Sequence, residues 1–302
     1  MRVFITGASG HVGSAVLPEL RNAGHQVVAL ARSDAAAQKL EAAGAEVRRG
    51  DLDDLDGIRK AATDADGVIH LAFRHDVAFS GGATLAAETD LNLIEAVGSA
   101  LEGSGKPLVI TGVTTVLAHA GTLGRPGTEE DIIEGSGYRI DSENATIALA
   151  ERGVRPSVIR LPPVVHSDLD KTGFTPTLIG IAREKGVVGY LGDGANHWPA
   201  VHTRDTARLY RLALESAPAG SRLHAVAEEG VRFREIAEAI GRNLGLPAVS
   251  VPAEDATKYF GFLGGFVAID NRTSNALTRK VLGWEPSHAE LIADIDEGHY
   301  FA

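Results

Sequence analysis

Arg2-Val3-Phe4-Ile5-Thr6-Gly7-Ala8-Ser9-Gly10-His11-Val12-Gly13 is an apolar run that breaks at once into three glycines spaced three apart. A helical pattern follows, and after it a second apolar run, Val27-Val28-Ala29-Leu30-Ala31-Arg32-Ser33. Strand, tight turn, helix and second strand, in that order, make the unit that cradles a dinucleotide. In such a unit Gly7 supplies the turn, Gly10 lets the backbone approach a pyrophosphate, and Gly13 lets the helix pack close to the strand. The helix start, from Ser9 through Gly10 and His11 to Val12, then turns unpaired N–H groups and a positive dipole end toward the phosphates.

The end of the second strand selects the cofactor. An acidic side chain there takes the ribose hydroxyls of NAD, whereas an arginine accommodates a 2′-phosphate. Arg32 and Ser33 occupy that place, so NADP(H) is expected in preference to NAD(H).

Further strands continue the alternation. Glu46-Val47-Arg48-Arg49 runs into Gly50-Asp51-Leu52, which puts Asp51 and Leu52 at the sheet edge beside the adenine. Val68-Ile69-His70-Leu71 leads to Ala72 and Phe73, Leu108-Val109-Ile110 to Thr111, and Ser157-Val158-Ile159-Arg160-Leu161 to Pro162. Leu71, Ala72, Phe73, Thr111 and Pro162 are therefore expected along the cofactor. Helical patterns span 35–43, 54–62, 83–101 and 141–152, and six strands alternating with helices predict an α/β fold with a parallel doubly wound sheet. Beyond Pro163 the rhythm changes to helix 174–185, strand 187–191, helix 205–215, strand 223–227 and helix 233–244. The reading is a dinucleotide-binding domain over 1–165 that also uses parts of 201–228, and a smaller α/β substrate lobe over 166–302 interleaved with it.

The bulk properties narrow the partners. The 302 residues are 44% hydrophobic and 23% charged, which is the composition of a globular protein with a sizeable core. A formal net charge of −11 argues against broad nucleic-acid or anionic-membrane binding, so any anion site is local. With no cysteine, a disulfide framework, a thiolate nucleophile and a zinc–thiolate site are all excluded. No histidine spacing matches a metal motif, and no metal is expected. The chain starts directly on a strand, without a leader pattern or an apolar run of spanning length, and a cytoplasmic location is the expectation.

Taken together, Thr6-Gly-x-x-Gly-x-x-Gly13, Gly50-Asp51-Leu52, His70-Leu71-Ala72, Arg160-Leu161-Pro162, Val201-His202-x-x-Asp205 and Leu282-Gly283-Trp284-x-Pro286 resemble the extended short-chain dehydrogenase/reductases. The similarity is to an atypical branch of the NAD(P)-dependent epimerase/dehydratase type. It implies a Rossmann fold and a catalytic pair made of a Ser or Thr after the fifth strand and the Tyr of a Tyr-x-x-x-Lys motif. Thr114 and Tyr138 stand in those places, but four residues after Tyr138 the chain has Ser142 instead of lysine. The resemblance also places substrate contacts around Pro199, where Trp198 and His202 are expected to wall the pocket from a loop.

The reading that follows is an NADPH-dependent reductase of a small carbonyl or conjugated substrate, compatible with a homodimer. Two alternatives stay open, a sugar-nucleotide epimerase or dehydratase and a non-catalytic NADP(H)-binding regulatory protein.

Overall fold

The computed structural model describes residues 1–119, 124–137 and 139–302. Strands β1 (Arg2–Thr6), β2 (Gln26–Ala31), β3 (Glu46–Arg49), β4 (Gly67–His70), β5 (Pro107–Val113) and β6 (Arg155–Leu161) form a parallel sheet, joined by a seventh strand from far along the chain. Its order places β3, β2, β1, β4, β5 and β6 side by side, with Ser221–His224 added in parallel beyond β6. The order of winding reverses between β1 and β4, which run parallel, so the crevice at the carboxyl ends of these two strands is the topological switch point.

Both faces of the sheet are covered, and the strands show it residue by residue. Val3 and Ile5 of β1 join the core under helices α1 (His11–Asn22) and α2 (Asp34–Ala42). Phe4 points the other way, into the core under α3 (Leu55–Asp64) and α4 (Ala83–Leu101). The same alternation repeats at Val27 against Val28, Ile69 against Val68, and Ile159 against Val158, which is why these strands read as continuous apolar runs. Side-chain caps set the helix starts, Ser33 accepting from the Ala36 N–H and Asp54 from the Gly57 N–H.

After β6 the chain enters a second core with β7 (Val164–His166), helix α6 (Phe174–Lys185), β8 (Val188–Leu191) and β9 (His197–His202), where α5 denotes the earlier helix Ile140–Ala148. It returns as α7 (Thr203–Ser216), whose Leu209, Tyr210 and Ala213 pack in the α1 core, and as β10 (Ser221–His224), the seventh strand of the large sheet. It then leaves again through β11 (Glu228–Arg232), α8 (Phe233–Leu244) and β12 (Ala248–Val251). β9 lies between β7 and β11 in a small mixed sheet, and β12 pairs with β8.

The sequence reading differs in three places. The sheet has seven strands, because the late segment is a strand over Ser221–His224 that finds the open edge of β6. The helix expected over 141–152 ends at Ala148 and tightens into a 3₁₀ turn. His197–His202 is a central strand, not a loop. Among the described residues no helix is long and apolar enough to cross a membrane.

Candidate functional site

A cleft of about 840 Å³ runs along the carboxyl ends of the sheet strands, with the glycine turn as its floor. Gly7 has φ +74°, and a Cβ there would come within 2.6 Å of the Ala72 nitrogen. Gly13 is tighter still, since a Cβ would meet the Gly7 carbonyl at 2.1 Å. Gly7 is thus required by its backbone conformation and by the close pass of the chain after β4, and Gly13 by the close approach of the helix to the turn. At Gly10 a Cβ would touch only the Gly7 oxygen, at 3.3 Å, so its outer face is left open to the cleft. Ser9, His11 and Val12 border the cleft beside it. An open glycine face and a helix N-terminus aimed into a long groove fit a dinucleotide pyrophosphate.

Arg32, Ser33, Asp51 and Leu52 line one end of the groove. Ser33 is held as the α2 cap, and its carbonyl accepts from Arg49. Asp51 accepts from Arg74, which also donates to Asp53. Arg32 is exposed and has no hydrogen bond or ion pair among the described residues. Leu71, Ala72, Phe73, Thr111 and Pro162 line the middle, at the ends of β4, β5 and β6. The Thr111 hydroxyl contacts both the His70 carbonyl and the Tyr210 hydroxyl, so it is anchored from behind.

The other end holds a buried cation. Arg139 lines the cleft, is 6% exposed, and carries its guanidinium 4.4 Å over the Phe73 ring. Its NH1 donates to Asp90 at 3.2 Å, and the same Asp90 oxygen receives His70 Nε2 at 3.0 Å. Behind His70, Nδ1 meets the Thr6 hydroxyl at 2.6 Å, which also accepts from the Ala72 N–H; a tautomer with the ring proton on Nε2 satisfies this chain. Burial alone would raise the Asp90 pKa, but Arg139 and His70 outweigh it and hold the carboxyl down to about 2. Arg139 therefore faces a carboxylate at all ordinary pH values. Its φ of +64° makes it the one non-glycine residue with positive φ among those described.

Residues 3–226 match the model of the NAD dependent epimerase/dehydratase family. The chain belongs to that family. An uncharacterized protein of Schizosaccharomyces pombe is 46% identical over 301 residues, which is 100% of both chains. One from Saccharomyces cerevisiae is 43% identical over 299 residues, 98% of each. Among solved structures, the dTDP-glucose 4,6-dehydratase DesIV from Streptomyces venezuelae, with NAD bound, matches at TM-score 0.77. That match covers 99% of this chain and 96% of the other at 18% identity, and it shows the fold.

As a member of the epimerase/dehydratase family, the chain departs from the expected pattern at its reacting end. Tyr138 lies outside the described residues. Ser142, in the place of the lysine, is buried at 3% exposure. Thr114 is fully buried and does not border the cleft; its hydroxyl accepts from Asn271 and its N–H donates to the Leu161 carbonyl. Thr115, the next residue, does border the cleft.

Trp198 and His202 are also away from the cleft. Alternation along β9 turns Trp198 into the second core, fully buried against Phe233 and Phe174. His202 caps α7 by accepting from the Arg204 N–H and stacks on His288 at 4.5 Å. The family motif that contains it is structural in this protein. Asp205 accepts from the Ser287 and His288 N–H groups, and its carbonyl from the Trp284 indole, so the 201–205 and 282–286 motifs hold each other.

Sequence reasoning missed the cleft wall made by His75, Phe79, Phe174, Phe262 and Phe266. These residues come from three separate segments and share no motif.

Proposed function

We propose that the chain is an NADPH-dependent reductase of a small carbonyl or conjugated substrate. The observation that carries the cofactor choice is Arg32. Of the three arginines along the cleft, Arg74 is neutralised by two carboxylates and Arg139 by one, while Arg32 has no partner among the described residues. An unpaired guanidinium at the end of β2 is what a 2′-phosphate requires.

The direction of the reaction follows from Arg139. When bound, the nicotinamide supplies the hydride. The protein contributes a permanent cation in the cleft that Thr111 and Thr115 also line, fixed by Asp90 and Phe73, to polarise a carbonyl and stabilise the developing oxyanion. A guanidinium does not give up its proton, so this arrangement favours reduction over base-assisted oxidation.

Titration with NADPH and NADH tests the first part. Arg32→Ala should weaken NADPH by about ten- to hundredfold and leave NADH nearly unchanged. Equal affinities of the unsubstituted protein for the two cofactors would overturn the preference. For the reaction, NADPH consumption is followed across a panel of aldehydes, ketones and enones. Epimerisation of UDP-glucose without net cofactor consumption would replace the reductase reading with the epimerase one.

A further inference from the structure

Six rings follow one another along the wall beyond Arg139. Phe73, under the guanidinium, is 5.1 Å from His75, which is 5.7 Å from Phe79. Across the mouth, Phe79 is 5.0 Å from Phe262 and 6.4 Å from Phe266, and Phe266 is 5.3 Å from Phe174. All six line the cleft, the first three from the large-sheet lobe and the last three from the second. Phe79 and Phe262 are 40% and 48% exposed, an unusual state for two large apolar side chains facing each other at a pocket mouth.

The charges nearby select against an anion. The second lobe contributes Thr172, Gly173, Phe174, Phe262 and Phe266 to the cleft, and no cation. At the start of α6, Asp170 accepts from the Gly173 N–H at 2.7 Å, which puts a carboxyl group at that helix end. On the opposite side Asp76 lines the mouth as an exposed carboxylate. A nucleotide diphosphate would meet the Asp76 carboxylate and apolar rings where it needs donors. A flat uncharged ring system meets stacking partners on both sides.

We infer that the substrate is an uncharged aryl or conjugated carbonyl compound. Its ring system lies along the Phe79–Phe262 wall and its carbonyl oxygen faces Arg139. This rests on the reductase reading for the chemistry but not for the binding.

Calorimetric titration of acetonaphthone, an aryl methyl ketone, into the full chain saturated with oxidised NADP measures binding where no hydride is available. The ketone should bind, and UDP-glucose should give no heat. Phe79→Ser combined with Phe262→Ser should weaken the ketone by about tenfold or more, while Phe79→Leu with Phe262→Leu loses less. Both side chains are exposed, and unchanged NADP affinity reports that the variants are folded. Ketone binding indifferent to both pairs, absence of ketone binding, or tighter binding of UDP-glucose would each overturn the assignment. Turnover with NADPH is read separately. A ketone that binds at this wall yet is never reduced counts against the reductase and leaves the binding assignment standing.

Discussion

At the scale of single residues, Arg139 has the most unusual setting in the cleft, a buried cation on a left-handed backbone. It adopts a left-handed backbone, which costs a non-glycine residue about 1 kcal/mol or more. Tertiary contacts with Asp90 and Phe73 hold it there. Arg139→Met should lower turnover by about 10²-fold while NADPH affinity is kept, since the proposed phosphate contacts at the glycine turn and Arg32 are at the other end of the groove. Arg139→Lys should recover part of the rate, because a point charge replaces some of the field without the planar contact to Phe73. Wild-type turnover in the methionine variant would remove the cation from the chemistry. Little of this was legible in the sequence. Arg32 announces itself by position, at the end of the second strand, whereas Arg139 acquires its environment from residues 49 and 66 positions away along the chain. The hydroxyl register failed for a related reason: Thr114 and Thr115 are neighbours, and only the contact with Asn271 decides which one turns inward.

Among the elements, β9 is the instructive case. Pro199 and two histidines make the segment look like a loop, because proline removes a ladder donor and is rare in central strands. The structure accommodates it through an irregularity in β11, where the register jumps from Glu228↔Ala200 to Val231↔Trp198, so two residues, Glu229 and Gly230, stand opposite Pro199. Once the strand is formed, period-two alternation sends Trp198 into the core. Trp198→Ala should therefore cost about 3–5 kcal/mol in stability and leave the Michaelis constant of the surviving folded fraction unchanged. A raised Michaelis constant with an unaltered urea midpoint would return Trp198 to the pocket. Elements with strong periodicity were readable to the residue, as at Ala83–Leu101, Phe174–Lys185 and Phe233–Leu244. Parts of 201–228 were expected to join the first domain, but the edge that Ser221–His224 pairs with was not readable, because its local pattern carries no mark of β6.

Across the whole molecule, buried histidines set the response to acid. Burial, aided by neighbouring cations or imidazoles, pushes His11 and His202 down to about 4 and His224 to about 3. Unfolded histidines bind protons below about pH 6.5 while these three do not, so their contribution is complete above that pH and is lost as pH falls toward 4. Asp170 works the other way. Burial raises it to about 6, and its protonation in the folded state returns some stability between about pH 6 and 4. Three groups against one leaves a net loss of at most about 2.7 kcal/mol per pH unit. Urea midpoints should fall steadily from neutral pH to about pH 5, and a flat or rising series would contradict the assignment.

The path of the backbone between the two cores has a mechanical consequence. The chain passes from one to the other after β6, between β9 and α7, between β10 and β11, before Ala276 and again after Trp284. A pair of lobes joined by one tether can open like a jaw. Here rotation of one lobe against the other would flex five backbone segments in concert. Swinging the exposed Phe79 and Phe262 side chains about their own bonds flexes none of them. The stiffness of the frame thus leaves rotamer motion at the mouth as the least costly way in.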